Sequence, residues 1–188
     1  MHVERSVPMP LLKNNYTSED YWNLPEGKRA ELIDGKFYDM APPSRIHQEL
    51  VSGLHYFIRK YISDHSGPCR VYPAPFAVNL DASDKDWVEP DLSVICDPNK
   101  LTDRGCSGAP DLIFEIVSPS SRKMDYSLKN MIYSQAGVRE YWIVDPAKEK
   151  VVVYCYENDS DPCLYSFDAD VPVGIYPGLT IRIRDLLN

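Results

Sequence analysis

Two acidic side chains stand where extended chain ought to be apolar. In "PDLIFEIVSPS", residues 110–120, alternation sends Leu112, Phe114 and Ile116 to one face and Ile113, Glu115 and Val117 to the other. Both faces are apolar except at Glu115. Such a run reads as a strand covered on both sides, where an ionised carboxylate costs several kcal/mol unless a cation or strong donors compensate it. In "EPDLSVIC" Asp91 repeats the anomaly, sharing a face with Ser93 and Ile95 while Leu92 and Val94 take the other. The connection from Asp97 to Pro110 is long enough for these strands to lie side by side, which would bring Asp91 and Glu115 to one cation. Hard divalent ions such as Mg²⁺ typically take one or two carboxylates, keep several waters and bind substrate phosphate. Lys129, in the helix that follows, can reach back over the strand. An ammonium beside two carboxylates and a divalent ion orients an attacking water and stabilises the charge of a pentacoordinate phosphoryl transition state.

Each residue also has a structural explanation. Asp125 and Lys129 are spaced i,i+4, as in a solvated pair on a helix surface. Asp91 follows Pro90 and suits a turn. Asp111 sits at the start of its strand, where a turn role suffices. Glu31 reads as a solvated strand residue opposite Tyr38, and His47, on or beside the inward face of its helix, as a hydrogen-bonded core histidine. Glu115 is the hardest to explain this way.

The elements that must position these groups are legible from periodicity and caps. "YTSEDYWNLP" offers Thr17 as N-cap with Asp20 three positions on, predicting a short helix that stops by Pro25. "AELIDGKFYDM" is a hairpin turning at Asp34-Gly35, a dipeptide suited to positive φ at both central positions. From the Ser44 cap, Ile46, Leu50, Val51, Leu54, Phe57, Ile58 and Tyr61 recur at helical spacing up to Gly67-Pro68. Extended segments follow in "RVYPAPFAVNL", "VEPDLSVIC", 110–120, "REYWIVD", "KVVVYCYE" and "CLYSFDA". The second helix starts at Ser120 or Ser121, buries Met124, Leu128, Met131 and Ile132, and stops at Gly137. Residues 112–145 thus form a strand, helix, strand unit whose return strand can run parallel to the first. The sum is one α/β domain over 15–188 with a mixed β-sheet flanked by helices, and a loose arm over 1–14.

Composition narrows the function classes. The 188 residues are 44% apolar and 26% charged, enough for a domain that buries roughly 70% of its unfolded surface. No run reaches the ~20 apolar residues that span a bilayer, and the N-terminus lacks a signal-peptide core, so a soluble cytoplasmic protein without membrane partners is expected. Five scattered cysteines with no C-x-x-C pair read as reduced thiols without a zinc site; Cys155 and Cys163 could face each other across a hairpin, but a cytosolic setting disfavours a bond there. A net charge of −8 excludes a protein that coats nucleic acid by phosphate neutralisation alone. Local basic groups remain at Arg122, Lys123 and Lys129, with Arg45 and Arg139 as further candidates.

Taken together, "EPDLSVI", the block from Asp111 to Pro146 and the upstream "AELIDGKFYDMAPPSRIHQEL" resemble the PD-(D/E)xK restriction-endonuclease-like superfamily, within it a branch of small endonuclease-like proteins catalogued as a domain of unknown function. The resemblance runs from about Tyr16 to the end. It implies a Mg²⁺-dependent endonuclease (Mn²⁺ as substitute) that hydrolyses phosphodiester bonds of DNA. It makes Asp91, Glu115 and the backbone carbonyl of Ile116 the metal ligands and Lys129 the catalytic lysine, with Glu31 and His47 at the rim of the same site, and it implies a homodimer. The superfamily pattern has lysine two residues after the second acid, where this chain has Val117; in the related branch the next helix supplies it, as Lys129 would here. The alternatives are a catalytically inactive fold serving as an interaction or regulatory module, and a glycosidase using the two acids as acid and base. A lysine beside both acids would hold them ionised and so opposes the second.

Overall fold

The computed structural model describes residues 15–158 and 160–187, so the expected arm over 1–14 lies outside the described residues. The fold class is the expected one, an α/β arrangement of mixed sheets flanked by helices, but the strands divide between two six-stranded sheets. The first runs in the order Lys36–Asp39, Ala30–Ile33, Trp87–Val88, Val78–Asn79, Gly105–Ser107, Leu101–Thr102. The second runs Cys163–Ser166, Lys150–Cys155, Glu140–Asp145, Leu112–Ile116, Leu92–Ile95, Arg70–Pro73. A small pair, Val171–Pro172 with Thr180–Ile181, completes the strands. The segment read as "RVYPAPFAVNL" splits between the two sheets, with a cis Ala74-Pro75 bond between its halves.

Leu112–Ile116 pairs parallel with Glu140–Asp145 through the expected helical crossover and antiparallel with Leu92–Ile95. It is buried on both faces. Leu112, Phe114 and Ile116 join Leu50, Leu54, Ile58 and Trp142 in a core beneath the Arg45–Asp64 helix. Ile113 and Val117 join Ile33, Val78, Val88, Tyr133 and Tyr141 in a second core on the opposite face. Each fully buried aliphatic or aromatic side chain there contributes ~1.5–3 kcal/mol of transfer free energy, which anchors the strand that carries Glu115. Val117, at the position where the superfamily pattern has lysine, is spent on this packing.

Local signals read from the sequence recur in the structure. Thr17 and Asp20 form a capping box on the helix Ser18–Trp22. Asp34 and Gly35 take φ of 49° and 68°, as the hairpin turn requires. Ser44 accepts from the His47 N–H at 3.2 Å, and Gly137 ends the second helix in the left-handed region at φ 89°.

Three expectations need correction. Ile46 and Phe57 lie on the solvent side of the long helix at 40% and 36% exposure, because Leu50, Val51, Leu54, Ile58 and Ile62, with Tyr61 partly covered beside them, fill its inward stripe. In the second helix Met131 is half exposed and Met124, Leu128 and Ile132 are only partly covered; the buried stripe is Asp125, Lys129 and Tyr133. The helix presents this polar stripe inward because it faces carboxylates that are themselves buried. The thiols are not all reduced either, since Cys69 and Cys96 form a disulfide. The register Arg70↔Ile95 makes them the next cross-strand pair, a neighbourhood invisible before the strands are paired. Cys106, Cys155 and Cys163 are free, and Cys163 lies opposite Val153, not Cys155. Thiol titration of the denatured protein should therefore find three reactive groups without reductant and five after reduction; five without reductant would refute the pairing.

Candidate active site

The site begins with a register. Antiparallel pairs Leu92↔Phe114 and Ser93↔Ile113 place Asp91 opposite Glu115 one step further along, so both carboxylates leave the same face. Asp91 closes this step itself: the Ile116 N–H donates to its Oδ2 at 2.7 Å. His47 Nε2 lies 3.0 Å from the same oxygen. Since that oxygen belongs to a carboxylate, which only accepts, the tautomer that satisfies the contact carries its proton on Nε2. The N-terminal turn of the long helix thus braces Asp91 from outside the sheet.

Glu115 is braced from the other side. Lys129 Nζ donates to its Oε1 at 2.8 Å, and the Tyr133 hydroxyl donates to the same oxygen at 2.6 Å. Lys129 also pairs with Glu31 Oε1 at 2.9 Å, and the Glu89 N–H donates to that oxygen at 3.0 Å. Residues 125, 129 and 133 lie four apart and so on one side of the helix. The turns that carry the first two, Met124–Lys129, are π-helical, a rare wide form that recurs at functional sites. Arg122 and Tyr126 anchor this stretch on Asp145, at the end of the neighbouring parallel strand.

The bland readings of three residues fail on burial. Lys129 and Asp125 are 5% and 1% exposed, not a surface pair, and Glu31 is 4% exposed, not a solvated strand residue. Asp111 keeps the turn role, accepting from the Cys96 N–H and pairing with Arg139. The structure therefore brings Glu31, Asp91, Glu115 and Lys129 into one cluster, with His47 against Asp91. It adds Tyr133 and Glu89, which sequence reading passed over, and Asp125, which it read as a surface partner of Lys129; the four-residue spacing from Asp125 through Lys129 to Tyr133 was the available signal.

Charge in this cluster is unbalanced. Burial of Lys129 opposes its charge, but Glu115, Glu31 and Asp125 outweigh burial and hold the ammonium well above its ordinary pKa. Burial pushes Glu115 well above the usual carboxyl range; Lys129 opposes the shift, and Asp91, Asp125 and Glu31 reinforce it. Asp125 is likewise pushed up to about 6, mainly by burial, with Lys129 and the Ser121 hydroxyl pulling the other way. Four carboxylates surround one ammonium, and the surplus is negative.

Donors engage one oxygen of each strand acid. Asp91 Oδ1 and Glu115 Oε2 have no hydrogen-bond partner among the described residues. Two such oxygens suit an ion that keeps most of its water. Among the described residues no three His, Cys, Asp or Glu side chains are grouped to enclose a metal, which argues against a zinc-type or all-protein calcium cage.

The mixed α/β fold is that of the restriction-endonuclease-like class. A crystal structure described as a putative nuclease belonging to DUF820, from Anabaena variabilis, superposes with a TM-score of 0.75 at 22% identity, covering 90% of this chain and 96% of that one. The chain belongs to the Uma2 family, described as "Putative restriction endonuclease", whose profile matches residues 18–183. An uncharacterized protein of Synechocystis sp. is 23% identical over 167 residues, 87% of this chain and 84% of that protein.

The raised Asp125 value carries a pH signature. Between its unfolded pKa of 3.8 and a folded value of about 6 the native state holds more protons, so stability falls as pH rises across that window and is flat above it. A shift of roughly two units is worth about 3 kcal/mol at neutral pH. Asp125→Asn, which keeps an acceptor for Ser121, should therefore unfold at higher denaturant than wild type at pH 7, by up to about 3 kcal/mol, with the gain vanishing near pH 4. A variant less stable than wild type at pH 7 would show that the carboxylate is compensated.

Proposed function

We propose that the protein is a Mg²⁺-dependent endonuclease that hydrolyses phosphodiester bonds in DNA. The observation that carries this reading is the pairing of Asp91 with Glu115 in a cluster of surplus negative charge, each acid with one oxygen committed to the protein and one without a partner. Membership of a family described as "Putative restriction endonuclease" supports it.

In this reading Asp91, Glu115 and the Ile116 carbonyl hold the divalent ion. Bound there, it supplies Lewis-acid polarisation of a phosphate oxygen and a more acidic water. Lys129 favours the ionised form of Glu115 against its burial and, with Tyr133, orients it, and Asp91 is oriented by Ile116 and His47. The ammonium of Lys129 has three protons, of which Glu115 and Glu31 engage two. The third is available to the scissile phosphate, where it stabilises the charge that builds at phosphorus. Glu31 and Glu89 act at one remove, fixing the lysine.

A second reading, a non-cutting module with the same fold, is favoured by one observation. Of the five basic groups that the sequence offered for a DNA-facing patch, Arg45, Arg122, Lys129 and Arg139 are paired with acids, and Lys123 alone has no carboxylate partner among the described residues. The electrostatic grip on DNA is correspondingly weak.

Nicking of supercoiled plasmid in Mg²⁺ or Mn²⁺ separates the two. Wild type should nick, and Asp91→Asn, Glu115→Gln and Lys129→Ala should each lose at least about a hundredfold. Calorimetric divalent binding should be lost in Glu115→Gln and Asp91→Asn. Nicking that survives all three substitutions would place the activity elsewhere, and a folded, metal-binding wild type that never nicks would select the module.

A further inference from the structure

The turn "DPAKEK", residues 145–150, joins two strands of the second sheet and carries two lysines that the sequence patterns do not single out. Asp145 and Lys150 are cross-strand partners, so their side chains leave the same face. Tyr141 and Ile143, which alternate with Asp145, lie in the core between the sheets, and so do Ile113 and Val117, which alternate with Glu115. Asp145, Lys150 and Glu115 therefore share one face of the sheet. Asp145 is fully buried; Arg122 engages both its oxygens, and the Tyr126 hydroxyl donates to it at 3.1 Å. Lys148 Nζ lies 5.5 Å from the centre of the Tyr126 ring, and Lys123 stands three positions before Tyr126, the spacing of neighbours on one side of a helix.

Charge here runs against the rest of the chain. Lys123, Lys148 and Lys150 are exposed and have no carboxylate partner among the described residues, and the acid among them, Asp145, is committed to Arg122. Uncompensated cations thus gather on a protein of net charge −8. Glu149, inside the same turn, does not pair with them: Arg184 holds both its oxygens beside Phe167, in the core beneath the long helix.

The patch also borders the acids. Glu115 pairs with Ile143 in the parallel ladder, which puts Asp145 one diagonal further along, roughly 8 Å away between backbones. Both lie toward the carboxyl ends of the parallel strands Leu112–Ile116 and Glu140–Asp145, where open α/β sheets bind their ligands. Phosphates on one strand advance about 3.4 Å along a duplex axis, so a backbone cut at the acids passes the patch within about two to four nucleotides.

We propose that Lys123, Lys148 and Lys150 form a seat for the phosphate backbone of DNA, flanking the bond that is cut. The proposal rests on the nuclease reading for the position of the cut, and it supplies a grip that the acid-paired basic groups do not. Lysine suits the task, since a flexible point charge neutralises a phosphate without reading a base, and the seat therefore carries no sequence preference.

Anisotropy of a short fluorescent duplex reads the seat directly, titrated in Ca²⁺, a hard ion that fills the same acids, with the duplex checked on a gel for integrity. Three phosphate contacts give a log–log salt slope of about −2.7, a loss in affinity of about fortyfold between ~50 and ~200 mM salt. Replacing all three by glutamine (Lys123→Gln, Lys148→Gln, Lys150→Gln) should bring the slope to within about 1 of zero and weaken binding at ~50 mM salt by at least about tenfold. The matched variant Lys28→Gln, Arg59→Gln, Lys85→Gln removes the same charge from exposed positions elsewhere and should stay within about threefold of wild type. In plasmid nicking the first variant should raise KM and leave kcat unchanged, as expected when binding is lost equally from ground and transition states. Equal losses in the two variants, a salt slope that survives removal of the patch, or a wild type that does not bind duplex would overturn the proposal. The nuclease reading is scored separately: nicking with an unchanged KM in the first variant removes only the seat, and salt-dependent binding lost with the patch, in a protein that never nicks, removes only the catalysis.

Discussion

The arrangement depends on one buried ammonium. Lys129 sits between Glu31 of the first sheet and Glu115 of the second, so a single cation joins the two sheets and the helix at their meeting point. Removing it would leave two carboxylates buried without their partner, a situation that typically costs several kcal/mol. This explains why the helix turns a polar stripe inward. It also explains why its first turns are wound as a π-helix anchored by Arg122 on Asp145. The geometry of the helix follows from where its amine must be.

How much of this is visible in the sequence differs by residue, for physical reasons. Glu115 and Asp91 stand out because strand alternation makes a lone acid in an apolar run anomalous. Their convergence follows once the strands pair, and the capped helices and the Asp34-Gly35 turn follow from local chemistry alone. Lys129 is ambiguous in sequence because the same i,i+4 spacing describes a solvated pair and a buried one. Tyr133 was passed over, and Asp125 assigned to the surface, because apolar periodicity pointed to Met124, Leu128 and Met131, and only the buried acids on the sheets decide which stripe turns inward. The Cys69–Cys96 bond was hidden for a similar reason: residues far apart in the chain become neighbours through a register that no local pattern encodes. The short strands at Leu101–Thr102 and Gly105–Ser107 are below the length at which periodicity speaks.

The departure from the superfamily pattern has a packing explanation. With Val117 buried in the core between the sheets, the strand position usually given to lysine serves stability. The amine arrives instead from the helix, at a point where it can also satisfy Glu31. Moving the charge from strand to helix frees the strand to be apolar on both sides and makes the helix indispensable to the site.

The pairing of Asp91 with Glu115 is a property of the hydrogen-bond ladder between two strands, not of any loop. Slipping that ladder by a single residue would turn one acid to the opposite side of the sheet and dissolve the pair, even if every amino acid were retained. The pair thus tolerates change in the connection over 97–110 so long as its two strands keep their places in the first sheet, but an insertion or deletion between Asp91 and Ile95, or between Leu112 and Glu115, would be fatal in geometry.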